Sequence, residues 1–383
     1  MNEKNKNYNQ QAEIIRLARK IAKEQIAPQA SESDRKGTFP WEAIRAIGKV
    51  ELPALVFSEK EGGLGEGRAI FTSVVQELAK ACASTALIYI SHVVLAKAIE
   101  ISGNDGLKKK WLPDLSKCKA LGAVAVHEPD AGSNAGAIST QAIKDGDSYI
   151  VNGSKFFITS GGEANAYLTL VRTDPEKGLN GMSTLLVEKG TPGLSFGQAE
   201  EKMGLRSTSS REMFFKDCRI PAENLIGDEG GGLQVIGKSL IGWGFYGASA
   251  ISIGIAKAAL DKATQHARER TIAGQPIGIH QGVQFLLSDM ILGSETADAY
   301  LTACASEADA VPGTVALNGF KAKLYASEMA IEVTNKAIQL MGGHGYCQNN
   351  IVERLFRDAR GLTLHFKTSE WLRQDIAKAA LKI

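Results

Sequence analysis

Several stretches carry side chains suited to a flat, electron-rich ligand and a proton. His127-Glu-Pro-Asp-Ala-Gly-Ser-Asn134 offers an imidazole and a hydroxyl. Gly132 and Ser133 add backbone N–H groups that suit an anion or the polar edge of a ring. Phe157-Ile-Thr159 supplies an aromatic face beside a hydroxyl. Lys202-Met-Gly-Leu-Arg-Ser207 and Ser209-Ser-Arg211 follow, then Arg270, Gly274-Gln-Pro-Ile-Gly-Ile-His-Gln281 and Gln339-Leu-Met-Gly-Gly-His-Gly-Tyr346. The last is Arg357 to Glu370, RDARGLTLHFKTSE, whose His365 suits proton transfer near neutrality. Taken singly, each has a plain alternative: Phe157 as core, Arg270 as a solvated charge, the glycines at 342–345 as a helix stop. The ordered set is poorly explained that way.

The elements that position these residues change character twice along the chain. Residues 9–118 read as helices, opening with the stripe Ala12, Ile15, Leu17, Ala18, Ile21, Ala22. Pro28 is expected to stop the first helix and Pro40-Trp41 to start another. Helices follow over 68–83 and 84–101, and Asp105 can cap the next. From about residue 119 short β runs take over: Ala120–Val126, Ala166–Val171, Ser183–Val187 and Glu212–Phe215. Ser148 to Thr159 reads as two strands joined at Asn152-Gly153. Helical periodicity returns over 233–270, 281–309 and 314–340. Leu317, Leu324, Ile331 and Ile338 recur at heptad spacing, as either a bundle seam or a core stripe. The expected fold is α+β and mostly α: a helical domain over 1–118, an antiparallel, barrel-like β domain over 119–228, and a helical bundle over 229–383.

A formal net charge of +2 with no basic stripe argues against a nucleic-acid partner. Five cysteines without metal-like spacing read as reduced thiols, and the expected location is cytoplasmic. The N-terminal residues lack an apolar signal core, and no uninterrupted run of about 18 apolar residues suggests a membrane span.

In order and spacing, these motifs make the chain resemble the acyl-CoA dehydrogenase superfamily of flavoproteins from about residue 9 onward. The resemblance implies an N-terminal α domain, a middle β domain and a C-terminal four-helix bundle. It further implies a homotetramer with FAD held between subunits. Carried over residue by residue, it places His127, where a threonine is usual, at the flavin pyrimidine edge. Ser133 falls at the mouth of the site, Phe157 against the isoalloxazine and Thr159 near N5 and O4. Arg270 matches an arginine that reaches the FAD pyrophosphate of a neighbouring subunit. Gln281, Gln339, Gly342 and Gly343 match positions around the adenosine half, and Thr368 and Glu370 two further FAD contacts.

In this family a carboxylate takes the α proton of an acyl thioester as hydride leaves the β carbon. Most members carry that glutamate shortly after the RDA motif, where this chain has Phe366. A minority carry it on an earlier helix, followed by an arginine; here those positions hold Gly244 and Phe245. His365 is therefore the first candidate for a substitute base. His92, Ser133, Gly244, Phe245 and Phe366 are expected around the acyl pocket, although a satisfied core histidine is an equal reading of His92. The reading taken is an FAD-dependent oxidoreductase of an acyl-CoA or carrier-bound acyl thioester, passing electrons to an electron-transfer flavoprotein. Because Thr363-Leu-His365 resembles monooxygenases of the superfamily, an oxygenase is one alternative. The others are a redox-neutral elimination such as desulfination or decarboxylation, and a non-catalytic flavin binder.

Overall fold

Residues 3–382 are described by a computed structural model. Helices α1 (Glu3–Ile21), α2 (Ala27–Lys36), α3 (Trp41–Lys49), α4 (Arg68–Ala81), α5 (Ala83–Ser102) and α6 (Asp105–Ser116) form the first layer. Pro28 does not end the first helix. The backbone widens to a π turn over Ala22–Ile26, and Pro28 enters in the first turn of α2, where its missing N–H costs least. The stop comes at Gly37, left-handed with φ 65. Asn104 rather than Asp105 caps α6, its side chain accepting from the Leu107 N–H.

Strands β1 (Gly122–Ala125), β2 (Gln141–Asp145), β3 (Ser148–Ile158), β4 (Ala166–Arg172), β5 (Met182–Glu188), β6 (Leu194–Ala199), β7 (Arg211–Pro221) and β8 (Leu225–Ile226) make one sheet. Its order is β6-β7-β3-β2-β4-β5-β8, with β1 parallel to β4 and β2 also parallel to β4, so the sheet is mixed rather than purely antiparallel. Asn152-Gly153 is not a hairpin turn. It is an irregularity within the single strand β3, where the register against β7 shifts between Val151 and Gly153. Gly153, at φ 139, lies where a Cβ would meet Thr140 Cα at 2.7 Å, and Asn152 exchanges two hydrogen bonds with Asp217. The reversal lies just before, at Gly146 between β2 and β3. The longer strand carries Phe157 near its C-terminal end.

Helices α7 (Gly232–Ile236), α8 (Phe245–Glu269), α9 (Gln281–Ala310), α10 (Val315–Met341), α11 (Gly343–Tyr346), α12 (Ile351–Leu362) and α13 (Ser369–Leu381) build the last layer, with a short hairpin β9 (Thr271–Ile272) and β10 (Gln275–Pro276). A π turn over Gly237–Gly244 leads into α8. The buried stripe of α10 runs through Ala322, Ala326, Ala330, Val333 and Ala337. The heptad residues Leu324, Ile331 and Ile338 flank it, half-buried. Two apolar stretches, Ala83–Ser102 and Gly232–Glu269, are long enough to cross a bilayer but are 89% and 94% buried inside the protein. They are core helices.

Candidate functional site

The three layers meet around a cavity of about 630 Å³. Its β wall comes from the loop after β1 and the end of β3, which bring His127, Ser133, Phe157 and Thr159 together. Opposite them, the segment between α12 and α13 contributes His365, Phe366 and Thr368, while Leu87 and Ser91 of α5 and Leu240 of the π turn close an apolar arm. A concave site lined by apolar groups with a few convergent polar ones suits a small ligand.

Buried charge fixes the β wall. Lys155 on β3 is fully buried, and its Nζ lies 2.7 Å from Glu128 Oε1 and donates to the Val126 carbonyl at 3.2 Å. Glu128 also accepts from the Ser139 N–H and hydroxyl and from the Thr140 N–H. Burial opposes its ionisation, but Lys155 and these donors prevail and pull its pKa down to about 2. Burial lowers Lys155 to about 8 against the pull of Glu128. The 2.7 Å contact and the full set of donors to Glu128 hold the two as an ionised pair. Glu128 lines the cavity, yet its oxygens are engaged, which leaves it unsuited to proton exchange.

The helical wall is a strained turn. Phe366 has φ 60, and the Lys367 N–H donates to the His365 carbonyl at 2.7 Å across it. Such a three-residue γ-type turn is costly for a residue with a Cβ, on the order of 1–2 kcal/mol. The turn is held from three sides. His127 Nε2 donates to the Phe366 carbonyl at 2.9 Å, the Thr368 N–H donates to Ser133 Oγ at 3.2 Å, and the buried Lys323 on α10 donates to the carbonyls of Lys367 (2.7 Å) and Thr363 (3.3 Å). The Phe366 ring stacks on Phe245 at 5.7 Å and 26°, and Phe320 meets Phe245 edge-on at 5.2 Å. A Cβ built on Gly244 would lie 3.3 Å from that ring.

The RDA motif is a structural clamp. Arg357 pairs with Asp34 at 2.7 Å and Glu353 at 2.7 Å and donates to the Met203 carbonyl at 2.9 Å. Asp358 is buried and accepts from the Leu205 N–H at 2.6 Å; burial raises its pKa to about 6. Together they press the 203–205 loop onto α12.

The expected site residues fall into three groups. His127, Ser133, Phe157, Thr159, His365, Phe366 and Thr368 line the cavity. Gly244 and Phe245 stand directly behind the Phe366 ring. His92 does not face the cavity. It is buried, with Nε2 donating to the Leu115 carbonyl at 2.8 Å and Nδ1 accepting from the Gly122 N–H at 2.9 Å, and burial lowers its pKa to about 4. It ties α5 to α6 and β1, so the core-histidine alternative is the one realised. Arg270, Gln281, Gln339, Gly342, Gly343 and Glu370 are exposed outside the cavity. Near the first five, at the ends of α8, α9 and α10, large apolar side chains are also exposed, among them Ile272, Ile279, Phe285 and Tyr346.

Motif reading gave no role to Lys202, and in the structure it has a place. Its Nζ is buried without a partner, it lines the cavity, and burial lowers its pKa to about 8. An orphaned ammonium there fits a ligand carrying carbonyl or anionic oxygens, as the pyrimidine and phosphates of FAD do. His365 is pushed down to about 3 by burial and by the neighbouring His127, Lys323 and Lys202, so its ring is neutral at physiological pH. All five cysteines are free, and only Cys347 is exposed.

Three family models match the chain: the N-terminal domain of acyl-CoA dehydrogenases over residues 9–119, the middle domain over 123–218 and the C-terminal domain over 230–381. A short-chain-specific acyl-CoA dehydrogenase of Clostridium acetobutylicum is 37% identical, covering 95% of this chain and 96% of its own length. Butyryl-CoA dehydrogenase of Megasphaera elsdenii superposes with a TM-score of 0.93 at 34% identity, covering 97% of this chain and 98% of its own. A prolyl acyl carrier protein oxidase superposes at 0.92 with 29% identity and the same coverage.

Proposed function

The chain belongs to the acyl-CoA dehydrogenase family, and from that premise we propose that it is an FAD-dependent oxidoreductase of an acyl thioester, presented on coenzyme A or on a carrier protein. One observation carries the reading: a polar wall suited to a flavin and an apolar arm suited to an acyl chain share one cavity, with Phe157 and Thr159 on one side and Leu87, Leu240 and Phe366 on the other. FAD, when bound, supplies the two-electron acceptor. Phe157 offers it an aromatic face, Thr159 and Lys202 hydrogen-bond donors, and His127 sits at the wall while holding the Phe366 carbonyl.

The proposed proton acceptor is His365. Phe366 and Gly244 offer no titratable group and Glu128 is locked; Glu200 and Glu201 also line the cavity, on the loop that carries Lys202, whereas His365 adjoins the position where the family carries its base. Depressed to about 3, the imidazole is unprotonated at physiological pH but is a weak base. A weak base demands an acidified proton. Such a base is best matched by an acyl thioester whose α C–H is activated by a neighbouring unsaturated or electron-withdrawing group. Arg270, Gln281, Gln339, Gly342 and Gly343 would meet the FAD of a neighbouring copy in a homotetramer, which accounts for their exposure beside apolar side chains in the single chain. The electron acceptor would be an electron-transfer flavoprotein, and the location cytoplasmic.

Anaerobic titration of the FAD-loaded protein with acyl thioesters tests this reading. Bleaching of the flavin by an α-activated acyl thioester is expected; a flavin that no thioester reduces would sink it. His365→Gln should bind thioester with little change yet slow bleaching roughly 100-fold. The same weak base favours a second reading, a redox-neutral elimination or an oxygenation in which no strong base is needed. Thioester-dependent oxygen uptake with supplied reduced flavin, or product release without bleaching, would select it.

A further inference from the structure

Phe366 shares a left-handed backbone with two other residues of the cavity, Phe157 and Leu205. Leu205 turns inward: its N–H donates to Asp358, and its Cδ1 lies 2.9 Å from where a Cβ on Gly361 would stand. Phe157 belongs to the wall assigned above to the flavin. What sets Phe366 apart is the surroundings of its ring. One face lies on Phe245, centroids 5.7 Å apart at 26°, and Phe245 in turn meets Phe320 edge-on at 5.2 Å. Phe245 is 3% exposed whereas Phe366 is half-buried and lines the cavity, so the stack ends in packed core on one side and in the cavity on the other. His365 precedes Phe366 in the chain, and the two ring centroids are 4.2 Å apart at 55°. A carbon close enough to give its proton to that imidazole therefore lies beside the Phe366 ring.

We propose that Phe366 is a specificity-determining residue: its ring, the cavity end of an aromatic stack, selects acyl groups that carry a flat, unsaturated substituent next to the α carbon over saturated ones. This rests on the acyl-thioester reading and deepens it by naming the class of acyl group. Offset stacking favours a flat π face laid on the ring and offers nothing comparable to puckered saturated carbons, a difference of roughly three- to tenfold in affinity beyond the area buried. The face is ready before the ligand arrives. Phe245 supports the ring from behind, and His127 and Lys323 hold its backbone through the carbonyls of Phe366 and Lys367, so little ordering remains to be done on binding. The unsaturation that supplies the flat face also acidifies the neighbouring α C–H, so the ring and the weak base beside it converge on one kind of substrate.

The test is binding, read without turnover. The probes are pantetheine thioethers, which carry the arm common to coenzyme A and carrier proteins and lack the carbonyl that acidifies the α C–H. S-(2-phenylethyl)- and S-(2-cyclohexylethyl)-pantetheine form one matched pair, and S-(but-3-enyl)- and S-butyl-pantetheine a smaller one. Each is titrated into the FAD-loaded protein, and the flavin absorbance shift is followed. The wild type is expected to bind the unsaturated member of a pair roughly three- to tenfold more tightly. Phe366→Tyr should keep that preference. Phe366→Leu should abolish most of it while still binding both members, and Phe366→Gly, which suits the left-handed backbone, gives the same reading if the leucine variant does not fold. A preference that survives unchanged in the leucine or glycine variant would belong to the flavin face and would overturn the role of Phe366 alone, as would equal binding of both members by the wild type. Probes that perturb the flavin in no variant, together with a flavin that no thioester reduces, would overturn the acyl-thioester reading and this one with it.

Discussion

The two walls of the cavity are rigid for different reasons. On the β side, a lysine and a carboxylate are buried together, and the backbone between them is ordered because both charges must be satisfied. On the helical side, no ion pair crosses the 365–368 turn to the β wall; a bent backbone is held by neutral bonds to its carbonyls and by one cation, Lys323. The β wall resists movement because moving it exposes charge. The helical wall resists because several weak bonds act at once, which makes it the side where shape can change by substitution at modest cost.

The contrast is most severely tested at Lys155. Lys155→Met leaves Glu128 buried and unpaired, and a loss of about 3–5 kcal/mol is expected by urea unfolding. Pairing it with Glu128→Leu should recover a large part of that loss; no recovery would mean that the pair is not what holds the wall.

Acid should act next, on helical groups first and on the β wall at lower pH. His92, lowered to about 4, contributes stability present above its unfolded pKa near 6.5 and lost as pH falls from there toward 4. At full loss this is about 3 kcal/mol. His365, lowered to about 3, adds to the same window from the helical side. Glu128, lowered to about 2, contributes stability present above its unfolded value near 4.5 and lost as pH falls toward 2. Unfolding free energy measured at stepped pH should therefore fall in two stages, and His92→Gln should reduce the first by its own share, leaving that of His365.

Lys323→Met removes the donor to two carbonyls of the turn and should cost about 2 kcal/mol. Hydrogen exchange should quicken around residues 361–368 while the sheet is unchanged. Faster exchange spread over both walls would erase the distinction drawn above. The smallest effect is at Lys202. Lys202→Met should weaken FAD binding roughly tenfold, as loss of one bond from a charged donor does, with Lys202→Arg restoring part of it. Equal affinity in equilibrium dialysis would show that the orphaned ammonium serves something else.

Much of this was legible from the chain because local rules and tertiary demands agree. The switch in hydrophobic period near residues 119 and 230 marks the layers, and the residues quoted from His127 to Thr159 do meet at one wall. Where local rules failed, long-range contacts had overruled them. Asn152-Gly153 has the composition of a hairpin turn, but close approach to Thr140 and pairing with Asp217 make it a strand irregularity. Pro28 is carried through by a π turn that no propensity announces. The conformation of Phe366 depends on His127 and on Lys323, each distant in sequence, so nothing near it could reveal the turn. Lys202 stood inside a recognised motif, but only burial shows that its charge lacks a partner.

The residues stranded outside the cavity at the ends of α8, α9 and α10 have a consequence for handling the protein. If a neighbouring copy must bring Arg270 and Gln281 to each FAD, cofactor retention is coupled to association by mass action. Dilution would then release flavin, added flavin would draw copies together, and the thermal midpoint would rise with protein concentration as well as with FAD.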